Sequence, residues 1–320
     1  MLVPLAYVAM ILVWATTPIT IKISSESVPV VIAALSRVVI GAALGLALSA
    51  LLRVRVPWHR HAWRTYLFGN VNVFIGVFLT FKGAQHLPSG MVSVLFGLSP
   101  VMSAIFSRFF LDEKPLTPSQ WMAAIVGLFG LVLVFREQLQ ISGDHIVAVF
   151  YILGAVMCLI ANNMLLKLWP GTMSALSQTT GTLILGVPLY IGLAVTQGVI
   201  LPEHLLDVVT SLPRGSSVLE GVSERSLYAM IYLGIFGSLL GVMCYFFALT
   251  HLSAATVALA TLITPIIALS IGRWLNHEIL TAGEMAGALC IIGALVLYYF
   301  GGGLAWRLRK REEEVKHGVL

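Results

Sequence analysis

Charge is what this sequence has least of. Only 10% of its 320 residues are Asp, Glu, Lys or Arg, against about 25% in soluble domains. Apolar residues make up 58% of the chain and the mean hydropathy is +0.95, which excludes an ordinary soluble domain and puts most of the chain in lipid. A backbone in lipid must satisfy its own N–H and C=O groups, so only helical bundles or closed barrels qualify. The apolar runs are continuous and lack the alternation of barrel strands. The fold class is therefore all-α integral membrane. Cysteine is scarce as well. Cys158, Cys244 and Cys290 are odd in number, lie inside apolar runs and lack C-x-x-C spacing, which argues against disulfides or a metal site. Neither metal nor cofactor is expected. No Asp or Glu falls deep within an apolar run, Glu284 standing only near the start of the last one, so no buried carboxylate relay for protons is visible. The first run, Leu5 to Ile21, has no basic segment before it and no small-residue cleavage site after it. It reads as a mature helix and not a signal peptide.

A span needs about 20 apolar residues to cross about 30 Å of hydrocarbon. Ten runs qualify, near residues 4–23, 29–52, 65–85, 89–110, 118–136, 146–168, 173–196, 226–249, 253–275 and 281–303. Short connections make sequential spans antiparallel neighbours. Lys and Arg set the sidedness, because cytoplasmic loops retain them. With the N-terminus inside, twelve fall on the inner side and six on the outer, which predicts both termini cytoplasmic. Trp58, Trp63 and Trp306 stand beside the inner basic clusters, at headgroup level. The segment 305–320 reads as a cytoplasmic tail, and the connection 197–225 as an outer linker.

Sliding the chain against itself by 165 places Phe81, His86, Leu87, Val92, Pro100, Arg108 and Glu113 on Phe246, His251, Leu252, Val257, Pro265, Arg273 and Glu278. After a two-residue gap, Met122, Ala123 and Gly130 fall on Met285, Ala286 and Gly293. Such self-similarity marks a repeat. Five spans per repeat is an odd number, so equivalent helices cross the membrane in opposite directions. The chain divides into a first repeat over 1–137, a second over 145–304 and the tail.

The helix ends Arg108-Phe-Phe-Leu-Asp-Glu113 and Arg273-Trp-Leu-Asn-His-Glu278, with Trp14 and Lys22 in the first span, Arg37 in the second and prolines in the fourth and ninth, resemble the paired EamA domains of the drug/metabolite transporter superfamily. That resemblance implies ten helices, a central cavity walled mainly by spans 1, 3, 4, 6, 8 and 9, and export of amino acids or related metabolites. The first span of the second repeat departs from the pattern: Leu159 stands where Trp14 would align, and Asn163 opposite Pro18.

Several residues are candidates for the cavity. Arg37 lies about 12 Å into its span at the standard rise. An isolated arginine there must face protein or water, bonding either a neighbour's backbone carbonyls or cargo. It shares a face with Gly41 and Gly45, the spacing of closely packed helices. In the third span Asn70, Phe74, Phe78 and Lys82 follow at i+4, a stripe suited to a small molecule with an apolar body and a carboxylate, or simply to packing. The eighth offers Tyr232 and Phe236, the first Trp14 and Thr17, the fourth Ser93, the sixth Asn162 and Asn163, and the ninth Thr261 and Thr264. Pro18, Pro100 and Pro265 each free a carbonyl within a span and are candidate hinges. Glu113 and Glu278 are expected to satisfy nearby backbone or the adjacent Arg108 and Arg273.

These features point to a secondary transporter working by alternating access around a midplane cavity, its partners a small-molecule substrate and the lipid bilayer of the inner membrane. A passive facilitator would share the cavity. A polytopic enzyme would need a clustered acid, base or metal set, and no H-E-x-x-H or paired Asp motif is present. No nucleic-acid partner is expected, and monomer and homodimer both remain open.

Overall fold

The computed structural model describes residues 2–110, 116–141, 143–169, 173–199, 222–252, 257 and 260–316, with side chains except at 138–141, 246, 249, 250 and 302–316. Among them every regular element is helical. In chain order they are α1 (Leu2–Ser24), α2 (Val30–Leu51), α3 (Arg60–Ala84), α4 (Ser89–Phe110), α5 (Pro118–Ile141), α6 (Gly143–Leu168), α7 (Ala175–Thr196), α8 (Glu224–His251), α9 (Ala260–Asn276) and α10 (Ala282–Lys316). Among the described residues nine helices are long and apolar enough to cross a bilayer. The expected span over 253–275 is described only in part, as the 17-residue α9. α10 continues as helix through the first part of the expected tail, to Lys316.

Several helices begin where a side chain accepts from their first N–H groups. His59 Nδ1 accepts from Ala62 N at 3.1 Å to start α3. Ser174 and Ser223 do the same for α7 and α8. Thr281 and Glu284 form a reciprocal capping box for α10, with Thr281 N donating to Glu284 Oε2 at 2.8 Å and Glu284 N to Thr281 Oγ1 at 3.1 Å. Glu284 is buried and is thereby a structural cap.

The bundle packs through small residues. A Cβ on Gly41 would lie 2.8 Å from Ser238 Cβ, and one on Gly45 would lie 2.6 Å from Thr180 Oγ1. The glycine face of α2 thus brings it against both α7 and α8, as the spacing of Arg37, Gly41 and Gly45 predicts. In addition α5 lies along α10, α4 on α9, α3 on α6, and α1 on α8 and α9. Apolar side chains such as Leu5, Ile125, Phe129 and Leu289 remain exposed on the outside of the bundle, where lipid would meet them.

Two helices are wound more loosely in the middle. α3 contains a π-helical stretch at Val71–Gly76 and α8 one at Leu233–Leu240. The offset of 165 carries the first stretch onto 236–241, overlapping the second. α4 is interrupted at Gly97 and Leu98, just before Pro100, whereas Pro18 and Pro265 sit within continuous helix.

Candidate functional site

The loosened stretches leave backbone carbonyls that need donors, since an unpaired C=O inside a span costs several kcal/mol. Arg37 supplies one. Its Nη2 donates to Gly237 O at 3.1 Å and its Nε to Ser238 Oγ at 3.0 Å, both in the stretch of α8. Of the two roles open to Arg37, bonding to a neighbouring backbone is the one the geometry displays. Tyr190 of α7 serves the stretch of α3, its hydroxyl lying 3.1 Å from Val73 O and 3.0 Å from Phe74 O. Nothing in the sequence singles out Tyr190 beyond the general need of a buried tyrosine for a partner.

The π-helical stretch also breaks the expected stripe on α3. Widening the turn rotates the residues before it relative to those after it. Asn70 is buried and turned to α7, where its Nδ2 donates to Thr182 O at 3.0 Å; the same group donates to Tyr66 O of its own helix at 2.9 Å. Phe74 packs edge-on against Tyr190. Phe78 and Lys82 still stand together, the ammonium 5.8 Å from the ring centroid. Asn70 therefore belongs to a helix–helix contact, separate from that pair.

A second group gathers between α1 and α8. Trp14 packs on Tyr245 with centroids 5.3 Å apart, Tyr232 stacks on Phe236 at 4.9 Å, and Thr16 Oγ1 lies 2.6 Å from the Tyr232 hydroxyl. Thr17 instead donates to Val13 O of its own helix, the local bond that threonines make in spans. Thr261 lies 3.2 Å from the Tyr299 hydroxyl of α10. Ser93 and Thr264 are buried where α4 crosses α9, and Gly97 and Pro265 face each other at that crossing. Asn162 Nδ2 donates to Asn163 Oδ1 at 3.3 Å, while Asn162 Oδ1 is buried and meets no donor among the described residues. Asn163 is exposed.

One end of the bundle is tied by polar side chains. Glu278, beyond α9, accepts from Ser89 N and Ser89 Oγ at 2.8 Å each, from Asn276 Nδ2 at 3.2 Å and from Lys22 Nζ at 3.3 Å. Lys22 also donates to Leu87 O at 3.2 Å. The carboxylate caps α4 from outside it, where the helix N-terminus favours negative charge. Gly272 leaves the room, because a Cβ there would lie 2.5 Å from Glu278 Oε2. Glu278 thus satisfies nearby backbone as expected, but its charged partner is Lys22 and not Arg273. Glu113, its counterpart in the repeat, lies outside the described residues. Arg225 extends the network, donating to Asn276 Oδ1 at 3.0 Å.

A cleft of about 700 Å³ opens between α9 and α10, lined by residues that include Ile266, Leu269, Arg273 and Leu289. None of the candidate cavity residues borders it. Among the described residues no three His, Cys, Asp or Glu side chains gather as a metal site would need.

The long apolar helices, packed through small residues and aromatic contacts, define a membrane-spanning helical bundle. The chain belongs to the EamA-like transporter family, which matches residues 1–136 and 146–300. It is 27% identical to Protein PecM of Dickeya dadantii over 89% of this chain and 88% of that protein. It is 24% identical to the uncharacterized inner membrane transporter YedA of Escherichia coli K12, over 92% and 90%. A probable terminal-alkyne amino-acid exporter of Streptantibioticus cattleyicolor is 26% identical over 91% and 92%. A solved crystal structure shares the fold with a TM-score of 0.60 at 16% identity, over 92% of this chain and 96% of that one.

Proposed function

We propose that this protein is a secondary transporter of the inner membrane that exports amino acids or similar small metabolites by alternating access. In this reading ten helices form two inverted repeats, 1–137 and 145–304, and both termini are cytoplasmic. The observation that carries it is the pairing of equivalent helices. α2 packs on α7, α4 on α9 and α5 on α10, and the contact of α1 with α8 has its mirror in that of α6 with α3. A two-fold relation between the halves generates this pattern, and exchange of their conformations would move the opening from one side to the other. The matching π-helical stretches support the same relation, as do the two tandem segments matched by the family.

Trp14, Tyr232, Phe236, Phe74, Phe78 and Lys82 are proposed to line the cavity, with Lys82 attracting a carboxylate and the rings taking an apolar side chain. Asn162 Oδ1 is an acceptor for a cargo N–H. The exporter from Streptantibioticus cattleyicolor supports an amino-acid-like cargo. Thr17, Arg37 and Asn70 act in this reading by holding helices, and Pro100, beside the interruption of α4, is the hinge candidate with the clearest local break.

The test is efflux from reconstituted vesicles loaded in turn with amino acids and other small metabolites, with and without an imposed pH gradient. Saturable efflux of an amino-acid-like compound, driven uphill by a gradient, is the expected result. Flux that only follows the cargo's own gradient would make the protein a facilitator.

A further inference from the structure

We propose that the cleft between α9 and α10 is a binding site for one anionic phospholipid, its phosphate held by Arg273 and His277 and one acyl chain lying between the two helices. The inference rests on the chain's spanning a bilayer and is independent of cargo or coupling.

The cleft exists because each of its helices packs elsewhere. α10 lies along α5 and α9 lies on α4 and α1, so the two meet only lightly. On α9 the residues facing the gap include Ile266, Leu269 and Arg273, and on α10 Met285, Leu289 and Ile292, both sets at helical spacing; His277 follows the end of α9. Ile266 is 49% exposed and Leu289 63%, so the walls open toward the bilayer. At about 700 Å³ the space lies within the range of about 300–1,000 Å³ that holds one small molecule. Along the helical walls Ser270 is the polar lining residue and its hydroxyl is bonded to Ile266 O, so the remaining apolar surface suits an acyl chain.

The headgroup end differs from the walls. Arg273 lies in the last turn of α9, followed by Trp274, which is 80% exposed, the arrangement of a membrane–water interface. The carboxylate of Glu278 lines the same end of the cleft but is ion-paired with Lys22. Both oxygens of Glu278 are occupied by Lys22, Ser89 and Asn276. Among the described residues no ion pair or hydrogen bond engages the side chain of Arg273. His277, held at φ 51°, lines the same end. A guanidinium presents paired donors that match a phosphate. The tail is no better solvated here than in bulk lipid, so selectivity must come from the headgroup.

The experiment uses the full chain purified in neutral detergent and titrated with phosphatidylglycerol or phosphatidylcholine, reading bound lipid by native mass spectrometry and thermal unfolding. Wild type is expected to retain phosphatidylglycerol and to be stabilised by it, with phosphatidylcholine much weaker. Arg273→Gln should bind phosphatidylglycerol about tenfold more weakly, the size of one charge-assisted hydrogen bond. Leu289→Trp, which fills the cleft without touching the charge, should also lose the lipid, while Arg55→Gln at the opposite end should retain it. Equal binding by Arg273→Gln and wild type would overturn the proposal, and so would equal binding of the two lipids. A dimer dispersed by Leu289→Trp in the absence of lipid would assign the cleft to a second copy. Protection by a transported metabolite in place of lipid would assign it to cargo, and either result would also overturn the proposal.

Discussion

Replacing Glu278 tests whether the polar end of the bundle holds the conformation described. The carboxylate joins α9 to α4 through Ser89 and to α1 through Lys22. In Glu278→Gln the remaining oxygen can still accept from Ser89, but the new amide turns donors toward the Lys22 ammonium and Asn276. The pair is neither exposed nor dry, with 26% of the lysine side chain and 8% of the glutamate accessible. Its loss therefore falls between the ~0–1 kcal/mol of a surface pair and the ~3–5 kcal/mol of a broken buried one. About 2 kcal/mol is expected, and more for Glu278→Ala, which also uncaps α4. If this conformation alone contains the contact, the same 2 kcal/mol shifts the balance between conformations about thirtyfold. Thermal unfolding in detergent reads the stability, and reaction of Thr20→Cys with an impermeant maleimide in oriented vesicles reads the opening. The charge-swapped double variant Lys22→Glu with Glu278→Lys separates the two roles. It restores opposite charges but sets an ammonium against Ser89 N, so it should be no more stable than Glu278→Gln. A swap as stable as wild type would refute the capping argument. An unchanged Glu278→Gln would refute the whole account.

Four further outcomes are expected. Arg37→Lys loses the paired contacts to Gly237 and Ser238, because one ammonium cannot reproduce the geometry of a guanidinium; unfolding in detergent should show a loss of about 1–3 kcal/mol. Gly181→Ala puts a methyl into the ring of Tyr66, and overpacking of this kind costs about 1–3 kcal/mol, read as a lower Tm with transport retained by the folded fraction. Thr281→Ala removes half of the capping box of α10 and its bond to Glu137, lowering stability by about 1 kcal/mol. Trp14→Ala and Lys82→Ala should each reduce vesicle efflux while leaving membrane insertion intact, and normal flux in both would remove those walls from the proposed cavity.

The helices were legible in the sequence because lipid imposes a single rule on every residue of a span, and that rule is written locally in apolar runs and in short connections. The glycine face of α2 was legible for the same reason: Arg37, Gly41 and Gly45 share a side by helical spacing alone. What could not be read is what depends on a change of winding or on a distant partner. Spacing at i+4 places Asn70 above Phe74 only while α3 stays α-helical, and the stretch Val71–Gly76 carries no proline or cluster of glycines that would announce the wider turn. Lys22 and Glu278 are 256 residues apart, so neither periodicity nor a motif links them. Local reasoning favours Arg273 as the partner of Glu278 because it is five residues away. The structure selects Lys22 because the carboxylate turns inward to cap α4, and Gly272 leaves space for that turn. Arg273 is thereby left facing the bilayer cleft, so the contact that closes one end of the bundle also leaves a cation on its surface. In Glu278→Ala the inner cap is lost but Arg273 keeps its exposure, and phosphatidylglycerol binding should survive a substitution that weakens the bundle.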